Sequence, residues 1–456
     1  MWGFARRWGC LAAGVATQAD PRAPVPEIQI PSQQILVLKN ESFYTEKLMP
    51  ILSETIFNSK TQYPKMQLAI NMKQQSTEAN MSTFSTRLQG KIISVSIHGF
   101  RSLDRIDELV LPQLTVLIGA NGSGKSNFIR FFEMLGWMFR SQKLQEYIAR
   151  SGGGDDQLFM GAKRTPRLEA QITIETEAGK NEYRFSLTHI PPDSLLLVDE
   201  AYRYSSNAFP TTNKNWTILP MPSHEAVMVQ QVAEDKTARI IVNLLKNCTT
   251  YQFHDTSAAA NIKQKWDISD NAYLRSDGAN LAPVLYRLQQ NEVQRYKLIT
   301  RQIARVLPGF SDFELQPDYG KIGLRWNGKH GTKSFGAHLT SDGSLRLFCL
   351  ITLLNLADHM LPDILFLDEP ELGLHPHAIG LVAQMIQKMA IARQVFIATQ
   401  SPIMVDCFQL DNIIVADTKE GATQLRTLDQ DTYRHWLEDD YQLSDLWLKE
   451  PIGSPR

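Results

Sequence analysis

Gly119-Ala120-Asn121-Gly122-Ser123-Gly124-Lys125-Ser126 decides the reading of this chain. The spacing is GxxxxGK[ST]. It lies between a short apolar run, Leu114-Thr115-Val116-Leu117-Ile118, and a segment in which Phe128, Phe131, Phe132, Leu135, Met138 and Phe139 recur at helical intervals. The run predicts a strand buried on both faces, and the recurrence predicts an amphipathic helix from Lys125 to Arg150. In that setting Gly119, Asn121, Gly122 and Gly124 form a turn whose backbone N–H groups point inward around a phosphate, with the helix dipole adding positive charge. Lys125 brings a mobile cation to the outer phosphates, and the Ser126 hydroxyl is a ligand for Mg2+. The expected substrate is therefore ATP.

Such a turn needs a partner strand ending in acid. Two segments qualify: Leu195-Leu196-Leu197-Val198-Asp199-Glu200 and Ile364-Leu365-Phe366-Leu367-Asp368-Glu369. The first follows Pro191-Pro192 and runs on into Ala201-Tyr202-Arg203-Tyr204 with no helix start, which reads as a strand of an inserted subdomain. The second continues into Pro370-Glu371-Leu372-Gly373-Leu374-His375-Pro376 and then an amphipathic helix, the setting in which sites form at the carboxyl end of a buried strand. The second is the expected choice, with Asp368 in the Mg2+ shell and Glu369 polarising the attacking water. The long separation between Ser126 and Asp368 predicts a nucleotide-binding core split by large insertions.

Shortly before the acidic strand comes Leu339-Thr340-Ser341-Asp342-Gly343-Ser344-Leu345-Arg346, ahead of an apolar helix expected over Leu347–Leu356. A Ser/Gly turn at a helix start is a second anion site, with Ser341 and Gly343 as its contacts, although a Ser N-cap alone has the same pattern. After the strand Gln394–Thr399 comes Gln400-Ser401-Pro402, where the Gln400 amide can orient water but cannot act as a charged acid.

The bulk numbers bound the rest. With 47 Lys+Arg against 48 Asp+Glu the formal charge is -1, so no global field draws in nucleic acid, and a DNA contact requires a local basic patch assembled by the fold. The four cysteines are scattered without a CxxC pair, which argues against zinc or a disulfide framework and fits a reducing cytosol. No apolar run has the ~20 residues that span a bilayer. Arg6 and Arg7 before Cys10–Ala16 superficially imitate an export signal, but the chemistry needs cytosolic ATP, and a cytoplasmic protein is expected. Residues 1–88 are polar and Pro-punctuated, and read either as a disordered tail or as an extension upstream of a true start at Met81. A long helix is expected over Leu281–Val306, too short for a coiled-coil arm.

Taken in order, Gly99-Phe100-Arg101-Ser102-Leu103, the 119–126 turn, Ser341-Asp342-Gly343-Ser344, the acidic segment from Leu365 to Pro376 and Ala398-Thr399-Gln400-Ser401-Pro402 resemble RecF-like ABC ATPases, and within them the stand-alone bacterial branch called AAA-type 21, related to the OLD and SMC proteins. Asp277–Leu281 and a tail from Trp436 to Trp447 also fit that branch. The resemblance implies an α/β fold, a P-loop NTPase of ABC/SMC head type whose split nucleotide-binding core carries inserted β-rich and helical subdomains. The expected organisation is one domain over 89–456, with an N-lobe about 89–200, an insertion about 201–335 and a C-lobe about 336–456. It implies a homodimer formed on ATP binding, with the 341–344 turn of one copy sealing the triphosphate held by the other. It also implies work on DNA in double-strand-break repair or, as the other reading, a nucleotide-gated scaffold controlling a partner nuclease in phage defence. Thr340, Ser344 and Gln400 depart from the usual leucine, threonine and histidine, leaving the backbone anion site intact. Gln157, in Gly152-Gly153-Gly154-Asp155-Asp156-Gln157, is the candidate for the family's metal-side glutamine, or else it ends a loop. Arg101 is expected either at the phosphates or dimer partner, or in a surface salt bridge.

Overall fold

The computed structural model describes residues 90–207, 215–331, 333–428, 433 and 442–448. The expectations for 1–88 and for Trp436–Glu438 fall outside these residues, as does the stretch 208–214.

Leu114–Ile118 (β3), Ile364–Asp368 (β14) and Gln394–Thr399 (β15) are buried along their whole length. Such runs suit only a sheet covered on both faces, and they form the centre of one. With Cys248–Tyr251 (β8), Ile413–Lys419 (β16) and Ala422–Thr427 (β17) the order is β17-β16-β3-β15-β14-β8, parallel throughout except for the β16–β17 hairpin. β3 lies beside β15 and β15 beside β14, so the glycine turn, Gln400 and the acidic pair leave neighbouring carboxyl ends. β8 comes from within the span read as insertion, which therefore supplies an edge strand of the core.

A second sheet is antiparallel: Gly90–Phe100 (β1), Leu103–Val110 (β2), Arg167–Thr176 (β4), Gly179–Ile190 (β5), Ser194–Ser206 (β6) and Thr217–Ile218 (β7), in the order β2-β1-β4-β5-β6-β7. The helix Lys125–Arg140 lies between the two sheets. Its Phe132 ring stacks 4.8 Å from Phe366 in the parallel sheet, while Phe131 meets Phe185 at 6.4 Å and Phe139 meets Tyr183 at 5.4 Å in the antiparallel one. The alternate residues of the parallel strands, Leu365, Leu367, Val395 and Ile397, face a second apolar core shared with the helices Leu281–Asn291, Val293–Val306, Asp342–Leu353 and Pro376–Ala390. Small pairings complete the structure: Trp266–Asp267 (β9) with Lys321–Ile322 (β11), and Phe310–Phe313 (β10) with Arg325–Gly328 (β12) and Ser334–Gly336 (β13).

Three helical expectations change. The segment 125–150 breaks after Arg140, and a separate helix, Leu144–Arg150, starts where the Glu225 carboxylate accepts the N–H groups of Leu144 and Gln145. The segment 281–306 breaks at Glu292, whose φ of -132 and ψ of 54 are not helical. The apolar helix after the Ser/Gly turn begins at Asp342, so that turn is its first turn. The rejected acidic segment is strand β6. Its Glu200 is buried and accepts the Tyr183 hydroxyl at 2.9 Å and the Val227 N–H at 2.8 Å, a structural use of the carboxylate far along the antiparallel sheet.

Candidate functional site

The glycine turn is shaped by backbone needs. Gly122 and Gly124 have φ of 79 and 94, in the left-handed region that favours glycine. A Cβ at Gly124 would stand 1.8 Å from Thr423 Oγ1, and one at Gly119 would stand 2.2 Å from the Ala416 carbonyl oxygen. The hairpin β16–β17 therefore supports the turn from behind. Thr423 N–H donates to the Ser102 carbonyl, the Ser102 and Thr423 hydroxyls share a 2.7 Å hydrogen bond, and Asn127 Nδ2 donates to Ser102 Oγ. Lys125 Nζ donates to the carbonyls of Gly119 and Ala120 at 2.8 and 3.0 Å. Burial lowers the Lys125 pKa, while the nearby charges of Glu369, Asp368 and Glu371 oppose that shift. Asn121 and Ser126 are exposed at the mouth. Ser123 Oγ is buried without a protein partner. An orphan hydroxyl, an inward cation and two glycines that tolerate no side chain make a cradle fitted to an anion of phosphate size.

Asp368 ends β14 at 6% exposure, with its carboxylate receiving Gln252 Nε2 and its carbonyl oxygen hydrogen-bonded to His254 Nε2. Glu369 comes next with φ of 44, rare for a side chain of this size, and its N–H donates to the Ala398 carbonyl at 2.8 Å. Gln400 Nε2 donates to Glu369 Oε1 at 2.9 Å, so the two residues expected to handle water touch. Below them Glu371 is buried. Thr399 Oγ1 donates to one of its oxygens at 2.5 Å and accepts the Ser401 N–H at 3.0 Å, while Glu371 Oε2 has no partner. Burial raises the Glu371 pKa, only partly countered by the Thr399 hydrogen bond.

Ser341 caps the Asp342–Leu353 helix, its hydroxyl accepting the Ser344 N–H at 3.3 Å. Gly343 is required by proximity: a Cβ there would lie 2.4 Å from the Gly373 carbonyl oxygen. Arg346, one turn on, donates to the carbonyls of Phe253, His254 and Leu372. The turn is thereby fastened to the segment that holds Asp368.

Gln157 is a correction. It is fully buried, its Oε1 receives both Nε and Nη2 of Arg101, and its Nε2 donates to the carbonyls of Ser151 and Gly153. No lone pair is left for a metal ion. Arg101 is engaged with this amide instead of a surface carboxylate. The glutamine that reaches the acidic strand is Gln252, directly after β8. Its strand is four residues long with two threonines, so no apolar run announces it.

Residues 114–406 match the family model described as "AAA domain, putative AbiEii toxin, Type IV TA system". The chain is 28% identical over 116 residues to the chromosome partition protein Smc of Mycobacterium tuberculosis, covering 25% of this chain and 9% of that protein. It is 30% identical over 117 residues to the DNA replication and repair protein RecF of Chromohalobacter salexigens, covering 22% and 32%. The match thus spans about a third or less of either relative. Among solved structures it is similar to an Smc head domain bound to the C-terminal domain of ScpA derived from Pyrococcus furiosus (15% identity, 77% and 99% covered, TM-score 0.47). It is also similar to the SMC head domain from Thermotoga maritima (14%, 74% and 99%, 0.40). With the family model covering most of its length and the phosphate turn, acidic strand and glutamine converging as described, the chain belongs to this AAA family.

Proposed function

We propose that the chain hydrolyses ATP at a composite site closed by a second copy of itself, and that it couples closure to work on DNA in double-strand-break repair. The observation that carries the chemistry is the 2.9 Å hydrogen bond from Gln400 to Glu369 beside the Lys125 turn. Gly119, Asn121, Gly122 and Gly124 present N–H groups to the phosphates, and Lys125 turns from its own carbonyls to the outer phosphate oxygens. Ser126 and Asp368 would hold Mg2+, which supplies charge neutralisation on the transferred phosphoryl group. Glu369 accepts hydrogen bonding from the attacking water, and Gln400 fixes the orientation of Glu369.

The helix-start turn at 341–344, through its dipole and the N–H groups other than that of Ser344, serves the triphosphate of the opposite copy, which makes the protein a homodimer when ATP is bound. The proposed organisation keeps an N-lobe and a C-lobe around the shared parallel sheet. The relatives' descriptions, replication and repair for one and chromosome partition for the other, support a role on DNA in the cytoplasm.

Glu369→Gln tests this reading. The variant should bind ATP normally, hydrolyse it at least a hundredfold more slowly, and elute as a dimer from size-exclusion chromatography with Mg2+-ATP. Hydrolysis at the wild-type rate overturns the role of Glu369. Wild-type turnover indifferent to DNA would favour the scaffold that controls a partner nuclease.

A further inference from the structure

One helix of the near-neutral chain carries cations without acids. The helix Val293–Val306 contains Arg295, Lys297, Arg301 and Arg305 and no acidic residue. Arg295 is engaged, by Glu292 at 2.9 Å and by the Asn355 carbonyl. Lys297, Arg301 and Arg305 are exposed and recur at i, i+4 and i+8, which puts them on one face. None has an ion-pair partner among the described residues, and Arg305 makes only a 3.4 Å contact to Gln302 Oε1. Near the helix end, the exposed Lys329, just after strand β12, has its N–H bonded to the Gly309 carbonyl.

Part of this arrangement is unfavourable to the helix itself: like charges at i, i+4 weaken a helix, although Arg305 in the last turn is favoured by the dipole. The opposite face is anchored independently, by Tyr296, Ile299 and Ile303 in the core and by the Tyr296 hydroxyl on Asp312. The cations are therefore not needed to hold the helix in place. Three cations span about 12 Å of helix, a length over which a DNA duplex presents about three to four phosphates on each strand.

We infer that Lys297, Arg301 and Arg305, extended by Lys329, are a docking ladder for the phosphate backbone of duplex DNA. The inference rests on the DNA part of the proposed function and gives it a location, on a helix that none of the nucleotide-site residues belongs to. Binding there reads no sequence, because the inferred contacts run along the phosphate backbone, and such contacts position a duplex without carrying sequence information.

The test is fluorescence anisotropy of a labelled duplex with the full-length chain across a salt titration. The wild type is compared with the triple variant Lys297→Ala/Arg301→Ala/Arg305→Ala. The triple variant should bind at least tenfold more weakly at low salt, and the slope of log K against log salt should fall by about 2 to 3, at about 0.9 for each phosphate released from the ladder. Its melting temperature should stay close to that of the wild type, since relief of like-charge repulsion offsets the lost dipole interaction of Arg305, and this separates weakened docking from impaired folding. An unchanged slope with wild-type DNA binding intact overturns the ladder alone. A wild type that binds no duplex, with or without Mg2+-ATP, overturns both the ladder and the DNA reading. Ladder-dependent binding to phosphatidylserine vesicles without binding to DNA also overturns it, in favour of a membrane surface.

Discussion

Replacing Gln394 by leucine probes how the two sheets are joined. β1 pairs with β2 only as far as Ser94, opposite Val110, so Ile92 has no strand on that side. The Gln394 side chain takes the place of one: Oε1 accepts the Ile92 N–H at 2.9 Å, and Nε2 donates to the carbonyls of Ile92 at 2.7 Å and Pro112 at 3.2 Å. Ile92 is 0% and Gln394 2% exposed, so water cannot replace the amide. Leucine fits the volume but leaves the N–H and C=O of Ile92 dry, at about 1–3 kcal/mol each. Subtracting the gain from no longer burying an amide leaves a loss of about 3 kcal/mol. With an unfolding entropy of about 2.1 cal/mol/K per residue across the unit Arg87–Arg456, that is a fall of about 4 °C in melting temperature. Urea unfolding should show a lower midpoint at unchanged slope. Gln394→Glu keeps the acceptor, loses both donors and adds a charge, so it should lose more. A leucine variant within about 0.5 kcal/mol of wild type would refute the reasoning, since that is the scatter of a neutral surface change.

The site itself yields two more expected outcomes. Gly124→Ala places a methyl group 1.8 Å from Thr423 Oγ1 at a φ of 94, so it should lower the melting temperature even without nucleotide and abolish ATP binding in a filter or calorimetric assay. Wild-type melting would show that the hairpin does not brace the turn. Glu371 has a raised pKa, so the folded state holds its proton more tightly than the unfolded state, and its contribution to stability declines as pH rises from the ordinary carboxylate range through the folded value. Glu371→Gln should therefore gain in urea midpoint relative to wild type as pH rises from the ordinary carboxylate range, and a difference that shrinks with rising pH would contradict the assignment.

The parallel core was legible because its strands carry their own signature. Leu114–Ile118 was read with the bounds the structure has. The acidic strand was told apart from the Leu195 segment by the turn and helix after Glu369, where the Leu195 segment only continues as strand. Both helix breaks escaped because apolar periodicity persists through Ser141 and Glu292, while the breaks depend on local backbone and on Glu225, distant in sequence. Gln157 was chosen for its position in a glycine loop, but burial against Arg101 is a tertiary fact. Gln252 could only be found by knowing that Cys248–Tyr251 joins the edge of the sheet.

The guanidinium of Arg346 grips three carbonyls on two separate segments, 253–254 and Leu372, from the opening turns of the 342–353 helix. A planar fork spent on backbone in this way leaves the joint almost no slack. On the proposed composite site, pressure on the outer tip of that helix would reach the segment that holds Asp368 as a rigid displacement, without any loop having to refold, so arrival of a second copy and readiness for chemistry would be a single mechanical event.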